Sequence, residues 1–161
     1  LAAHLYVVDP AWLGPRRLPS TEALYYDGDC GLCHGSVRFF LAEDREGDLL
    51  HYTPLNAPAF LADVSEGERA TLPDSLVLRT STGELLVKSD SVLHALNRLG
   101  GYWRVASWLG RALPRQLRDG IYELIARNRL RFFDKPDNAC PMVPAHLRPR
   151  FVIGVPGAPP A

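Results

Sequence analysis

A pair of cysteines, Cys30 and Cys33, is the clearest chemical feature of this sequence. The pair lies between a short apolar run that ends at Tyr26 and an amphipathic pattern that begins at Gly31. Two thiols at C-x-x-C spacing at the start of a helix can close an intramolecular disulfide. The first-turn N–H groups and the helix dipole also stabilise a thiolate there. We therefore expect Cys30 to be a nucleophilic thiol and Cys33 to be a sheltered resolving thiol.

Acidic residues precede the pair at Asp27 and Asp29. In thiol–disulfide exchange the Cys30 thiolate attacks a substrate disulfide, and Cys33 then attacks the Cys30 sulfur and releases the reduced substrate. Cys33 must lose its proton for the second step, so Asp27 is the candidate base or orienting group and Asp29 a second carboxylate beside it. Their negative charge opposes a strongly lowered thiol pKa, which predicts a reducing couple.

Two other interpretations of the cysteines remain open. One C-x-x-C is half of a four-ligand zinc site, and the side chains available to complete it are His34, His51, His94 and Cys140. The sequence contains no second C-x-x-C and no closely spaced histidine pair, so we predict no metal and no cofactor. Alternatively, the cysteines are structural, and the chain is a non-catalytic protein-interaction module.

The elements around the motif are predicted in the order β-α-β-α-β-β-α. Runs of β-forming residues predict strands at 24–26, 49–53, 75–80 and 84–88, the last two as a hairpin. Helical periodicity predicts helices from residue 31 to the glycine at 47, at 57–64 and from about 89 to 99, the last capped by Ser89 or Asp90. This is the order of a thioredoxin-like α/β domain, a central mixed sheet flanked by helices.

The predicted organisation has three parts. Residues 1–22 contain three prolines and form an irregular N-terminal arm, and residues 23–101 form the thioredoxin-like core. Residues 102–161 form a helical extension and an extended, proline-rich tail that packs on the same domain. Within the extension, the large apolar side chains are predicted to be core: Trp103, Trp108, Leu109 and Leu113.

The charges of this neutral chain are unevenly placed. Residues 1–97 contain 7 Lys+Arg and 14 Asp+Glu, whereas residues 98–161 contain 11 and 4. We expect the basic half to pair with the acidic half and not with nucleic acid. No stretch is apolar enough for a membrane span, and three cysteines in this setting favour a reducing compartment, predicted as the cytoplasm. The oligomeric state is left open.

The segment from Tyr26 to Cys33 resembles the D-x-x-C-x-x-C motif of the DCC family, and the likeness extends over roughly residues 23–151. It includes the pairs Asp74-Ser75 and Ser89-Asp90, the run Ala126-Arg127-Asn128-Arg129, and Cys140, Arg148 and Phe151. The resemblance implies a thioredoxin-like fold and thiol–disulfide oxidoreductase activity, with Asp27, Cys30 and Cys33 as motif residues. The substrates would be disulfide-containing proteins or small molecules.

Supporting roles fall on residues around the dithiol. Gly31 lies between the cysteines, and Pro73 is the candidate for the substrate-binding proline that thioredoxins have before strand three; whether its peptide bond is cis is left open. His34 is a candidate for tuning the thiols, and Cys140 for a third redox thiol. Basic residues of the extension, Arg127 and Arg129, are further accessory candidates.

Overall fold

The computed structural model of the chain describes the backbone of residues 21–28, 31–132 and 144–154, and the side chains of residues 21–28, 35–128 and 144–154. The strands are β1 (Glu22–Tyr26), β2 (Leu50–Pro54), β3 (Val77–Arg79) and β4 (Leu85–Val87). The helices are α1 (Gly31–Glu43), α2 (Pro58–Asp63), α3 (Glu66–Thr71), α4 (Lys88–Leu99), α5 (Gly101–Ala112) and α6 (Arg115–Phe132), followed by a 3-10 helix, Ala145–Arg150.

The four strands form one mixed sheet in the order β2-β1-β3-β4. Strand β1 pairs with β2 in parallel and with β3 in antiparallel orientation, and β3 and β4 form the predicted hairpin. The parallel pair is connected through α1, because parallel neighbours need a crossover that a tight turn cannot provide. The element order and the mixed sheet confirm the predicted thioredoxin-like α/β class.

Side chains of β1 alternate between the two faces of the sheet, as the pleat of a strand requires. Leu24 and Tyr26 belong to a core cluster that the sheet forms with α1 and α4. Tyr25 points the other way and packs edge-on against Phe60 of α2, with ring centroids 4.8 Å apart. The sheet therefore has α1 and α4 on one face and α2 on the other.

Helices α5 and α6 form an outer layer over α1 and α4. Trp103 of α5 packs edge-on against Phe39 of α1, with ring centroids 4.8 Å apart. The hydroxyl of Ser107 donates to the carbonyl of Leu93 on α4 at 2.7 Å. At Gly110 an added Cβ would lie 2.5 Å from a methyl carbon of Leu93, so a glycine is needed for this close approach. Within the described ranges, no helix combines the length and the apolar character that crossing a membrane requires.

The prediction that the apolar residues of this extension form core is wrong for three of the four. Trp103 is partly buried, but Trp108, Leu109 and Leu113 are 49%, 67% and 40% exposed. The reason is the rotation of α5, which turns its small residues toward α4 and its large residues toward solvent.

Two helix starts differ from the sequence-based prediction. Helix α3 was not predicted, although Ser65 and Glu68 form a capping box that begins it. Helix α4 begins at Lys88 without a side-chain cap, so the predicted capping by Ser89 or Asp90 is wrong. Both of those side chains instead bind residues of α6.

The ends of the described chain also differ from expectation. Strand β1 already includes Glu22, which pairs with Leu50, so the predicted arm of residues 1–22 extends too far. Residues 1–20 lie outside the described residues. In the predicted extended tail, residues 145–150 form a 3-10 helix. Arg150 at its end is buried, and its Nη2 lies 2.5 Å from Asp44 Oδ2. Phe151 then bridges to Tyr52 of β2.

A buried charged cluster holds the start of β1. The Glu22 carboxylate, with a fully buried side chain, lies 2.9 Å from His94 Nε2 and 3.1 Å from Arg98 Nε, and accepts from the Ser81 N–H at 3.2 Å. Burial by itself raises the pKa of Glu22, but the hydrogen bond and charge of His94, the Ser81 N–H and the charge of Arg98 together outweigh it. The pKa of Glu22 is therefore held below its ordinary value of 4.5.

We predict that Glu22→Gln lowers the free energy of unfolding by roughly 3 kcal/mol at neutral pH, because it leaves Arg98 buried without its counter-charge. The lowered pKa also makes a pH prediction. The carboxylate contributes stability that is fully present above the unfolded-state pKa and is lost as pH falls through the folded-state pKa. Urea unfolding between about pH 6 and about pH 3 should show a steeper loss for the wild type than for Glu22→Gln.

The matched control is Glu84→Gln, which changes an exposed carboxylate of the neighbouring hairpin and should leave both quantities near wild type. Equal pH slopes for the wild type and Glu22→Gln would contradict the assignment of the acid-sensitive stability to this cluster.

Candidate functional site

Several loops meet at one end of the sheet because of the strand register. Tyr26 lies opposite Pro54, Tyr25 opposite Val77, and Val77 opposite Val87. The segment after β1, the segment before β3 and the first turn of α4 therefore lie at the same end, which we call the motif end. It is defined by residues 27–28, 73–76 and 88–90.

The cysteine motif enters the fold at the motif end. Asp27 and Gly28 follow β1 directly and are half-buried. Helix α1 begins at Gly31, as predicted, so Cys33 belongs to its first turn and Cys30 is the residue before it in sequence. Val37 and Phe40, four and seven residues after Cys33, are buried in the core. The position of the helix relative to the motif therefore agrees with the prediction.

Several predicted site residues fall outside what the structure describes. Asp29, Cys30 and Cys140 lie outside the described residues, and the side chains of Cys33, His34 and Arg129 are not described. The roles proposed for these six residues remain predictions.

The segment before β3 is held by side chains from two helices. The Leu76 N–H donates to Tyr122 Oη of α6 at 2.9 Å. The Leu76 carbonyl accepts from the Ser91 hydroxyl of α4 at 3.0 Å. Both backbone groups of this buried residue are thereby satisfied, which fixes the segment beside the motif.

Pro73, the candidate substrate-binding proline, lies in the same segment, four residues before β3, and is half-buried. All peptide bonds among the described residues are trans, including the bond before Pro73. Pro73 therefore lies at the motif end but does not have the cis geometry found in thioredoxins.

Three consecutive residues of α4, Lys88, Ser89 and Asp90, bind side chains of α6. We call these contacts the α4–α6 clamp, and its pairs are Lys88–Glu123, Ser89–Asp119, Asp90–Arg118 and Asp90–Arg115. Lys88 Nζ lies 2.6 Å from Glu123 Oε1, and Arg118 Nη2 lies 2.7 Å from Asp90 Oδ1. The clamp fixes α6 across the motif end by polar contacts.

Lys88 also has an unusual backbone. Its φ of 52° lies in the left-handed region, which a non-glycine residue adopts at a cost. The hydrogen bond from Lys88 and then its charge hold the pKa of Glu123 below its ordinary value. A positively charged residue with a strained backbone therefore lies at the junction of β4 and α4, at the motif end.

Arg127, one of the accessory candidates, lies one turn after the clamp. Its Nε donates to the Glu123 carbonyl at 3.4 Å, and its side chain is exposed. Asn128 likewise donates to the Leu124 carbonyl of its own helix at 2.8 Å. Within the described residues, the side chains of this run thus donate hydrogen bonds to backbone carbonyls of their own helix, α6.

Two of the histidines named as candidates to complete a zinc site, His51 and His94, have other partners or surroundings. His94 binds the buried Glu22, while burial and then the charge of Arg150 lower the pKa of His51 on β2. In the part of the chain that the structure describes, no group of three or more His, Cys, Asp or Glu side chains could hold a metal ion.

Part of the charge asymmetry is compensated by ion pairs within the fold. Arginines of the second half bind carboxylates of the first half in the pairs Arg98–Glu22, Arg115–Asp90, Arg118–Asp90 and Arg150–Asp44. These pairs connect the C-terminal elements to the core at three separate places.

Sequence reasoning did not identify the residues that organise the motif end from α6, namely Asp119, Tyr122 and Glu123. The signal was available as a polar stripe on α6, opposite the apolar stripe that begins at Leu117. Their partners on α4 and before β3 are distant in sequence, so the contacts could not be read from the stripe alone.

Comparison with known proteins gives one family and two relatives. The family model described as DCC1-like thiol-disulfide oxidoreductase matches residues 24–135. The chain is 32% identical over 135 residues to the uncharacterized protein YuxK of Bacillus subtilis, covering 81% of this chain and 93% of YuxK. It is 26% identical over 115 residues to a chloroplastic DCC family protein of Arabidopsis thaliana, covering 71% of this chain and 66% of that protein. No solved structure matches the chain significantly.

We predict that Tyr122→Phe loosens the segment before β3, because the Leu76 N–H loses its acceptor. The free energy of unfolding should fall by about 1–2 kcal/mol. Hydrogen exchange measured by NMR should show the Leu76 amide exchanging faster than in the wild type.

Tyr102→Phe is the matched control, since it removes the same hydroxyl group from a side chain that is 61% exposed on α5. Unchanged protection of Leu76 in Tyr122→Phe would show that this hydrogen bond does not hold the segment.

Proposed function

Because the chain belongs to the DCC1-like thiol–disulfide oxidoreductase family, we propose that it exchanges thiols and disulfides through Cys30 and Cys33. The observation that carries the proposal is the start of α1 at Gly31, at the end of β1 where Asp27 follows the strand. A helix beginning at this residue supplies unpaired N–H groups and a positive dipole end to the thiol that precedes it. Those groups stabilise a thiolate and lower the thiol pKa.

The proposed exchange runs in two steps. The Cys30 thiolate attacks one sulfur of a substrate disulfide, forming a mixed disulfide and releasing the other substrate sulfur as a thiolate that takes up a proton. Cys33 then loses its proton and attacks the Cys30 sulfur, which releases the second substrate sulfur. The balance is one substrate disulfide reduced to two thiols and one Cys30–Cys33 disulfide formed. A further thiol, such as glutathione, must reduce that disulfide to complete a cycle.

Asp27 is the proposed base for the second step. It is half-buried beside the strand end, and the helix that contains Cys33 begins four residues later. A carboxylate in this position can accept the Cys33 proton, directly or through one water molecule. Asp29, Gly31 and Pro73 complete the proposal as groups that shape or contact the substrate side of the motif.

The proposed substrates are disulfides of proteins or small molecules, and the proposed compartment is the reducing cytoplasm. We propose no nucleic-acid partner, since Arg98, Arg118 and Arg150 of the basic half are paired with carboxylates inside the fold. His34, Cys140, Arg127 and Arg129 are proposed as accessory groups that tune the thiols or the charge near them.

One test of the proposed exchange concerns the dithiol itself. Titrated against mixtures of reduced and oxidised glutathione, the wild-type chain should form an intramolecular disulfide, detected by thiol labelling and mass spectrometry. Cys33→Ser should accumulate a mixed disulfide with glutathione, because the resolving thiol is missing, and Cys30→Ser should not.

Cys140→Ser is the control and should retain the intramolecular disulfide. Failure of the wild type to form that disulfide at any glutathione ratio would overturn the proposal. Stoichiometric zinc in the purified wild type, lost in Cys30→Ser, would support instead a non-catalytic module with metal-bound cysteines.

Another test distinguishes a role of Asp27 as base from a structural role. In stopped-flow assays Asp27→Asn should slow resolution of the mixed disulfide by roughly a hundredfold, because no carboxylate takes the Cys33 proton. Attack by Cys30 should change much less, and raising the pH should restore resolution by ionising Cys33 without a base. Equal slowing of both steps, unrelieved at high pH, would indicate a structural role for Asp27.

A further inference from the structure

A cleft of about 560 Å³ lies between the β3–β4 hairpin and the helices α4, α5 and α6. Residues 27–28, the described part of the cysteine motif, do not line it. Clefts of this volume accommodate small-molecule ligands, and the polar groups that converge in them determine which ligand fits. The residues on which the chemistry of this cleft depends are Glu84 and Leu86 on the hairpin side and His94 and Arg111 on the helix side.

Some charged groups of the cleft already have partners in the protein. Asp90 lies 2.7 Å from Arg118 in the α4–α6 clamp. The buried Glu22 carboxylate lies 2.9 Å from His94 Nε2 and 3.1 Å from Arg98 Nε. These two carboxylates are compensated by protein cations, so they do not select the charge of a ligand.

Two charges of opposite sign remain in the same cleft. Glu84 precedes β4 on the hairpin, and Arg111 lies in the last turn of α5 on the other side of the cleft. Both side chains are exposed, and neither charged group has an ion-pair or hydrogen-bond partner among the described residues. The cleft therefore offers one carboxylate and one guanidinium to a ligand.

His94 adds a third polar group to the cleft. Its Nε2 faces the Glu22 carboxylate, which can only accept a hydrogen bond when ionised, so Nε2 carries a proton. In the neutral ring Nδ1 is then an acceptor, and it has no hydrogen-bond partner within the described ranges. The side chain of His94 is 20% exposed, so part of the ring remains accessible from the cleft.

We infer that the cleft binds a free amino acid as its zwitterion, with the carboxylate on Arg111 and the ammonium group on Glu84. His94 Nδ1 is a further acceptor for the ammonium group. A simple anion would be repelled by Glu84 and a simple cation by Arg111, so a ligand with both charges is favoured. A guanidinium can bind a carboxylate through two parallel hydrogen bonds. The half-buried Leu86 provides an apolar wall for the ligand side chain.

This inference goes beyond the thiol chemistry and does not depend on the cysteines. NMR spectra of the ¹⁵N-labelled full chain, recorded with each standard amino acid in turn at about 10 mM, test it. At least one amino acid should shift the amide signals of Ser81, Glu84 and His94 in a saturable way. Its methyl ester and its N-acetyl derivative should each bind roughly tenfold more weakly, because each lacks one of the two charges.

Substitutions assign the two charges of the ligand to the two sides of the cleft. Arg111→Gln should weaken binding of the amino acid roughly tenfold and remove its advantage over the methyl ester. Glu84→Gln should weaken binding similarly and remove the advantage over the N-acetyl derivative. Arg38→Gln on α1 and Glu66→Gln on α3 are the matched controls, since they neutralise exposed charges that do not line the cleft.

Both controls should bind the amino acid like the wild type, and circular dichroism verifies that every variant folds. The proposal is overturned if no amino acid produces a saturable shift at the cleft. It is also overturned if acetate or methylammonium alone binds as tightly as the amino acid, because the cleft would then be a site for a single ion. Binding that neither Arg111→Gln nor Glu84→Gln weakens would place the ligand elsewhere and contradict the assignment.

Discussion

The polar contacts between the first turn of α4 and helix α6 are the constraint on which the arrangement of the motif end depends. Three consecutive residues, Lys88 to Asp90, bind side chains of α6. Because these partners lie on one side of α6, they set its rotation about its own axis. That rotation places Tyr122 against the segment before β3 and at the same time turns Ile121 and its neighbours toward solvent. The organisation of the motif end and the exposure of the apolar stripe of α6 thus have one cause.

Buried ion pairs complement the clamp at other places in the fold. Arg98 with Glu22 and Arg150 with Asp44 each join an arginine of the second half to a carboxylate of the first half. A buried pair adds little net stability relative to an apolar replacement, but removing one partner is costly, because a charge is then left without compensation. These two pairs therefore connect the C-terminal half of the chain to its N-terminal half.

The motif end combines a helix start with segments from across the sheet. Helix α1 provides the N–H groups, β1 positions Asp27, and the segment around Leu76 is fixed from two sides. The strained Lys88 lies at the same end. Loops that a rigid sheet positions are common locations for reactive groups, since the sheet fixes geometry while the loops supply chemistry. The trans bond before Pro73 distinguishes this arrangement from that of thioredoxins.

Local sequence patterns were sufficient for the element order, the hairpin of β3 and β4, and the start of α1 at Gly31, because periodicity, turn residues and the cysteine spacing act between neighbours in the chain. The capping box of Ser65 and Glu68 was equally local, and α3 was predictable from it. Tertiary structure decided which partners Ser89 and Asp90 have, since their side chains bind residues of α6 and do not cap α4. It also decided which face of α6 is buried, because an amphipathic pattern shows that a helix has two faces, whereas distant partners determine which of them meets the core.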